Sequence, residues 1–410
     1  MSTMESEASK TAKTVQASVQ ALTESLSKNE TINKSENLIV VLDIGTAFTK
    51  FGFESEFSPR YIIRSEVLCK KTNTVRKLCD YQSPEDLYDF MVNFIHMIYF
   101  KYALISPKGR RIIVVESLLC PTLFRETLAK VLFLQYEVSQ ILVLPSHLVS
   151  LASLAVDTAL VVDIGYKEAV VIPVCFGLPM VHAWQALPLG GEAVHKNIRA
   201  LLSSANAGVQ NLPERIIEDI KVRCCFVTKK SRGEQLLLGK SELVPPPDVK
   251  YPYAGSDILT VTGKLREKAF EILYEEDNDH LCLSTMILDA LLKVDRELRQ
   301  TLAENLLLIG GTAMTLGFKA RLKEELLKQL ENDRYKTLKH IKEFKFFSSP
   351  CKENYTAWLG GSIYGATELL GMKVVTKEFY LREQHLPDWV NLRDIGPMGS
   401  LENSSGTRVP

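Results

Sequence analysis

The sequence has no excess of either charge, because its 410 residues include 49 Lys and Arg against 49 Asp and Glu. Such a chain has no overall field that would draw it to nucleic acid, an anionic membrane or an acidic substrate, so recognition must be local. Its 8 cysteines include no C-x-x-C pair, which argues against a zinc site and a disulfide framework. We therefore expect reduced, mostly buried thiols in a cytosolic protein.

Long unbroken apolar runs are also missing. The longest, residues 141–162, is interrupted by Pro145, His147 and Asp157, so we expect soluble core and no direct membrane insertion. Residues 1–37 are rich in Ser, Thr, Lys and Glu and lack the apolar centre of a signal peptide. We expect a disordered arm there and a flexible tail at residues 391–410.

One pattern occurs twice. Residues 40–50 and 160–170 each combine a β-branched apolar run, the triplet Asp-x-Gly and a second apolar run. Each copy predicts a buried strand, a tight turn and a returning strand, which form a β-hairpin with an acid at its mouth. Backbone N–H groups of such turns can approach phosphate, and the acid can hold a metal through water, so two facing hairpins would grip one polyphosphate. Taken singly, each copy is equally well explained as an ordinary hairpin of an α/β core.

Two glycine pairs, Gly310-Gly311 and Gly360-Gly361, each follow an apolar run and precede a predicted helix. Glycine turns at such junctions allow a flat ligand to approach, and helix N-termini favour phosphate. Since a chain of this length has room for two halves with separate cores, these turns and the two hairpins together predict a nucleotide cleft between similar halves.

Three other segments carry defined expectations. Ser83-Pro84-Glu85-Asp86 is typical of a helix start, and the apolar residues after it recur at helical spacing, so they face the core or a partner. Glu116, at the end of a predicted strand, is either a polar group of the cleft or an ion-paired edge residue. Pro245–Pro247 lies in a stretch, 229–256, that we expect to be irregular apart from one strand pair, and is either a ligand for an aromatic groove or a surface loop.

From residue 38 to about residue 389 these motifs resemble the actin family. The family resemblance covers two phosphate loops, a helix with a lysine near the base, an adenosine motif and the near-terminal signature Trp358–Ile363. It implies an α/β, actin-like (ribonuclease H-like) fold of two similar halves around a cleft for ATP or ADP with Mg²⁺. The residues implied to bind the nucleotide are Asp43, Gly45, Thr46, Ala47, Lys50, Asp163, Gly165, Lys221, Gly310, Gly311, Thr312 and Met314. Of these, Asp43 and Asp163 are implied to hold the metal.

The resemblance also divides the chain into subdomains. Subdomain 1 takes residues 38–64, 80–153 and 356–390, a vestigial subdomain 2 takes 65–79, subdomain 3 takes 154–189 and 279–355, and subdomain 4 takes 190–278. Residues 65–79 are too few for the family's subdomain 2 and its mobile loop, which inserts into the next protomer at the pointed end. This shortening predicts a terminal subunit of a filament.

The second phosphate loop departs from the family pattern. Tyr166-Lys167 replaces an Asp-Gly pair, so two large side chains are expected where backbone would meet phosphate, with either one available to hydrogen-bond a γ-phosphate. Ser146 and Val170 stand where the family has a water-orienting glutamine and a nearby histidine. Because phosphoanhydride hydrolysis needs a positioned water and compensation of developing charge, we expect weak or absent hydrolysis and no catalytic residues.

Four segments, 116–121, 124–128, 187–191 and 386–389, look like the pointed-end actin-related proteins of dynactin. This closer resemblance implies a cytoplasmic, cytoskeletal role in dynein-driven microtubule transport. The implied partners are the actin-related subunits and actin of the dynactin filament and the subunits of the pointed-end complex. A nuclear actin-related subunit of a chromatin remodeller, and an ATP-hydrolysing enzyme of the superfamily, are the alternatives.

The same comparison predicts where the partners bind. We expect the filament contact around 169–173, Phe318 and Trp358, where large apolar residues would fill a groove of the neighbour unless they serve the core. We expect accessory proteins at Pro245–Pro247 and at 65–79.

Overall fold

Both copies of the repeated pattern fold as the predicted hairpin. In the first, Val40–Ile44 pairs antiparallel with Phe48–Phe53, and in the second, Ala159–Ile164 pairs with Ala169–Cys175. The two turns close alike, with Gly45 N–H donating to the carbonyl oxygen of Phe48 at 3.2 Å and Gly165 N–H to that of Glu168 at 3.1 Å. The repeat in sequence is therefore a repeat in structure.

The computed structural model describes residues 38–69, 72–205, 212–238, 244–255, 257–367 and 374–387. The predicted arm 1–37, the predicted tail 391–410 and the pair Asp388-Trp389 lie outside the described residues. Within the described ranges every helix is too short or too polar to cross a lipid bilayer.

Strands and helices alternate along most of the chain. The strands are β1 Val40–Ile44, β2 Phe48–Phe53, β3 Tyr61–Arg64, β4 Glu66–Cys69, β5 Thr74–Lys77, β6 Arg111–Glu116, β7 Gln140–Pro145, β8 Ala159–Ile164, β9 Ala169–Cys175, β10 Leu178–Pro179, β11 Gln185–Leu187, β12 Val249–Ala254, β13 Asp257–Val261, β14 Leu306–Ile309 and β15 Val375–Thr376. The helices are α1 Pro84–His96, α2 Thr122–Lys130, α3 Ser146–Ala152, α4 Gly191–Ala205, α5 Glu214–Cys224, α6 Lys230–Leu237, α7 Gly263–Lys268, α8 Leu283–Lys293, α9 Arg296–Glu304, α10 Phe318–Gln329, α11 Thr356–Gly365 and α12 Lys377–Glu383.

Each hairpin belongs to its own sheet. The first half contains a 6-stranded sheet of order β15-β7-β6-β1-β2-β3, and the second a 5-stranded sheet in which β10-β9-β8-β14 are neighbours and β11 also pairs with β9. In each half the strand that carries the acid pairs in parallel with a later strand, β6 or β14. The mixed α/β architecture of two similar halves is confirmed.

Helix α1 begins as its sequence predicts. The Ser83 hydroxyl accepts a hydrogen bond from Asp86 N–H at 3.2 Å, and Pro84 occupies the first turn, where its missing N–H costs nothing. Its apolar face is fully buried against the first sheet, as with Phe90 and Phe94, so the core alternative is correct for this face.

Helices α3 and α11 pack between the two sheets. Trp358 of α11 is fully buried and its indole N–H donates to the carbonyl oxygen of Val41 at 3.0 Å. The turn predicted at Gly360-Gly361 is wrong, because both glycines lie inside α11. A Cβ on Gly360 would lie 1.9 Å from the carbonyl oxygen of Val149 in α3, and one on Gly361 would lie 2.7 Å from Val115 of β6, so the two glycines permit close packing of α11 on a helix and on the first sheet.

The stretch 229–256 contains strand β12, which pairs with β13, and it also contains a helix that was not expected. Residues 230–237 form α6 within the stretch 229–256. Residues 66–69 and 74–77 pair antiparallel as the β4–β5 hairpin, with Val67 and Cys69 buried in the same core as α1. Local composition hid both elements, since the hairpin is held by apolar contacts with α1 and α6 by ion pairs of Lys230 with Glu325 and of Arg232 with Glu267.

For the apolar residues expected at the filament contact, the core alternative is correct. Residues 169–173 are buried along β9, and Phe318 and Trp358 are fully buried. These side chains fill the core, and the large apolar side chains exposed beyond β9 are Phe176 and Leu178, at 74% and 71% exposure. Pro245–Pro247 lies in a surface loop held by Arg266, which donates to the Pro247 carbonyl oxygen at 2.6 Å.

Candidate nucleotide site

One cavity of about 870 Å³ lies between the two halves and is lined by both hairpin turns. The other predicted residues of the site line it as well, and the full set is Asp43, Gly45, Thr46, Ala47, Lys50, Asp163, Gly165, Lys221, Gly310, Gly311, Thr312 and Met314. The tertiary structure thus brings together residues that are far apart in sequence.

The hairpin acids face one cation. Lys50 Nζ lies 2.9 Å from Asp43 Oδ2, and both side chains are largely buried. Burial raises the pKa of the Asp163 carboxyl to about 6, with Lys50 opposing the rise and Asp43 and Glu168 adding to it. Since one ammonium does not balance the carboxylates, a divalent cation would relieve their repulsion.

The turns also present backbone donors. Among the hydrogen bonds of the described residues, none uses the N–H groups of Thr46, Ala47, Tyr166 or Lys167 as donor. Free N–H groups at consecutive turn positions form a concavity that suits an anion. The two turns therefore fit phosphate oxygens, while Asp43 and Asp163 fit a metal.

Glycine at position 310 holds the third wall close to the second hairpin. Gly310 has φ +95°, and a Cβ there would lie 2.3 Å from the carbonyl oxygen of Ile164. Thr312 Oγ1 donates to the carbonyl oxygen of Gly165 at 2.9 Å. The turn after β14 is thereby bonded directly to the turn after β8.

The remaining predicted residues form the wall toward α5. Lys221 Nζ lies 2.8 Å from Glu218 Oε2, so its charge is already paired. Met314 is 41% exposed, and Gly311 has open space where a Cβ would be. This wall combines open space beside Gly311 with one apolar side chain, which suits a base and ribose.

The comparison with family models matches this geometry. The model of the family described as Actin matches residues 34–280 and 212–393. The chain belongs to the actin family. Membership accounts for the two halves, the paired hairpins and the cleft between them.

Curated relatives of this actin-family chain cover most of its length. Actin-related protein 10 of Dictyostelium discoideum is 30% identical, over 90% of this chain and 93% of its own. Actin-like protein 9 of Bos taurus is 26% identical, over 84% and 85%, and actin-like protein 7A of Rattus norvegicus is 24% identical, over 72% and 71%.

Tyr166 does not occupy the position expected of it. Its hydroxyl donates to Glu214 Oε1 at 2.5 Å and accepts from Lys77 Nζ at 2.7 Å, so it is not available to a γ-phosphate. Lys167 is exposed, and it lines the cavity together with Ser146 and Val170. Glu116 combines the two alternatives, because both of its carboxylate oxygens accept from Arg125 and it also lines the cavity.

Glu168 is the cavity residue that sequence reasoning missed. It takes the place of Phe48 in the first hairpin, lines the cavity, and burial raises the pKa of its carboxyl. Alignment of the two repeats would have revealed it, since it puts an acid where the first copy has an aromatic ring.

No group of three or more His, Cys, Asp or Glu side chains in the described residues could hold a metal alone. A metal would therefore take ligands from phosphate or water in addition to Asp43 and Asp163.

Proposed function

We propose that this actin-related protein is a non-polymerising structural subunit that caps the pointed end of the dynactin filament. It docks the pointed-end complex there and supports dynein-driven microtubule transport in the cytoplasm. The filament's actin-related subunits and actin are its neighbours on one side, and the pointed-end subunits are its neighbours on the other. The sequence likeness of segments 116–121, 187–191 and 386–389 to pointed-end subunits supports the choice of complex.

The β4–β5 hairpin is the observation that carries the proposal. Only the short ribbon from Glu66 to Lys77 stands where the family has a larger subdomain with a mobile loop. The inner face of this ribbon is buried on the protein's own α1 core. The 15 positions of segment 65–79 are too few for the family's mobile loop, so addition of subunits would end here.

The nucleotide has a structural role in this proposal. ATP or ADP with Mg²⁺ would be held by the two turns, Lys50 and the wall around Lys221, and it would supply phosphate charge that links the halves. Ser146 and Val170 cannot orient a water or stabilise developing charge as an amide and an imidazole can, so we propose that hydrolysis is weak or absent. Sustained phosphate release by purified protein would contradict this part.

We propose that the filament neighbour contacts the turn after β9. Phe176 and Leu178 are strongly exposed there. Phe176 has a left-handed φ of +53°, and two hydrogen bonds hold this turn. Phe176 N–H donates to Thr158 Oγ1, and Gly177 N–H donates to the carbonyl oxygen of Asp157. A double change, Phe176→Ser with Leu178→Ser, should release the protein from the filament. The matched control is Phe100→Ser, which alters an exposed ring on the first half.

Affinity purification of tagged wild-type protein followed by mass spectrometry tests the assignment. Recovery of dynactin filament and pointed-end subunits supports it. Loss of the filament subunits alone from the Phe176/Leu178 variant, with the pointed-end subunits retained, and no loss from the Phe100 variant would locate the filament contact. Recovery of chromatin-remodeller subunits instead would refute it. Grafting a full actin-type loop between Ser65 and Cys79 tests the capping mechanism, because filaments that still end at the grafted subunit would show that the missing loop is not the cause.

A further inference from the structure

Two polar contacts cross the mouth of the cleft. Arg215 Nη2 lies 2.9 Å from Glu66 Oε2, and Lys77 Nζ donates to the Tyr166 hydroxyl at 2.7 Å. Glu66 and Lys77 are on the β4–β5 hairpin, which is fixed to the first half by Val67 and Cys69 in the α1 core. Tyr166 and Arg215 belong to the second half.

The Tyr166 end of this bridge is itself held rigidly. Its hydroxyl donates to Glu214 Oε1 at 2.5 Å, and Glu214 Oε2 accepts from Arg199 Nη2 at 2.6 Å. His195 Nδ1 is hydrogen-bonded to Glu214 Oε1, and His195 Nε2 lies 2.8 Å from Glu218 Oε2. Glu218 in turn pairs with Lys221 of the cavity wall. The bridge is thus continuous with the wall of the nucleotide cavity.

The Lys77 ammonium makes a second contact with the same side chain. It lies 4.2 Å from the centroid of the Tyr166 ring while it donates to the hydroxyl. A charged donor that is partly withdrawn from water and bound to both ring and hydroxyl is stronger than an exposed ion pair. The Glu66–Arg215 pair has a more exposed arginine and should add less.

We propose that Lys77, Tyr166 and Glu214, assisted by Glu66 and Arg215, form a latch that keeps the two halves closed when the cleft holds no nucleotide. In a two-lobed protein a ligand ordinarily supplies the contacts that favour the closed arrangement. Here the protein's own side chains supply these closing contacts, because the residue after the second Asp-x-Gly triplet is a tyrosine long enough to meet Lys77 of the opposite half. The latch concerns the cleft alone and does not depend on the capping role.

Hydrogen–deuterium exchange of nucleotide-stripped full-length protein tests the latch. In wild type, amides of the β4–β5 hairpin and of α5 should exchange equally slowly with and without Mg-ATP. Tyr166→Phe removes the hydroxyl and keeps the ring, and Lys77→Met removes the ammonium and keeps most of the stem. Each should speed exchange of both segments about fivefold or more in stripped protein, while α1 stays unchanged.

The control is Lys196→Met, which breaks an exposed ion pair to Glu192 within α4 and does not cross the cleft. Equal acceleration by Lys196→Met, or no acceleration by Lys77→Met, would overturn the latch. Fast exchange of the hairpin in stripped wild-type protein that Mg-ATP suppresses would overturn it too, because closure would then depend on the ligand. If Tyr166→Phe fails to fold, the surface variant Lys77→Met still decides the outcome.

Discussion

Replacing Asp163 by asparagine should stabilise the nucleotide-free protein at neutral pH. Burial and the neighbouring carboxylates raise the pKa of this acid from 3.8 to about 6, so its ionised form is disfavoured in the native state. The native state therefore binds the proton more tightly than the unfolded chain does. Proton binding by Asp163 therefore stabilises the folded state. This stabilisation is complete below about pH 4 and is lost as the pH rises through about 6.

The magnitude follows from linkage. A pKa of about 6 instead of 3.8 costs about 3 kcal/mol at pH 7.5 and about 1 kcal/mol at pH 4.5. Asparagine keeps the shape and carries no charge, so Asp163→Asn should recover most of this cost. In a chain of 410 residues the gain corresponds to a rise in Tm of about 3 °C at pH 7.5 and about 1 °C at pH 4.5.

Thermal unfolding followed by circular dichroism in EDTA, at several pH values, checks this expectation. The control is Asp89→Asn, an exposed acid on α1, which should leave both Tm and its pH dependence unchanged. Excess Mg-ATP should stabilise wild type more than Asp163→Asn, because the variant lacks one carboxylate for the metal. An Asp163→Asn protein that is less stable than wild type at pH 7.5 without metal would refute the reasoning.

Three further substitutions test the packing. Gly360→Ala should lower the free energy of unfolding by about 2 kcal/mol or more in urea titrations, because its Cβ would meet a backbone carbonyl oxygen 1.9 Å away. The control Gly311→Ala places its Cβ in open space and should change the free energy of unfolding little. Equal effects of the two substitutions would contradict this. Phe176→Gly should raise Tm slightly, by relief of about 1 kcal/mol of left-handed strain at φ +53°, and a lower Tm would count against that strain. Arg321→Met should lower the free energy of unfolding by about 3–5 kcal/mol, because it leaves the buried carboxylate of Glu271, 2.8 Å away, without its partner. This loss of stability should be smaller in the double variant Arg321→Met/Glu271→Met. A double variant that is no more stable than the single one would argue against a charge effect.

The sequence by itself determined the elements whose signals are local. The Asp-x-Gly hairpins follow from strand-forming runs and a glycine turn, and the start of α1 follows from Ser83 and Pro84, because a cap and a hydrophobic period involve only neighbours along the chain. Recognising the repeat also placed Asp43 and Asp163 in one cleft before their contacts were known. These features need no information about distant segments.

Only the tertiary structure decided what the ambiguous residues contact. Gly360 permits a close helix contact because α3 lies against it, and the β4–β5 ribbon is ordered because α1 covers its inner face. The Tyr166 hydroxyl is engaged by two side chains distant in sequence, since it accepts from Lys77 and donates to Glu214. A side chain's partner is fixed by how the two halves pack, and this packing depends on contacts that no local pattern encodes.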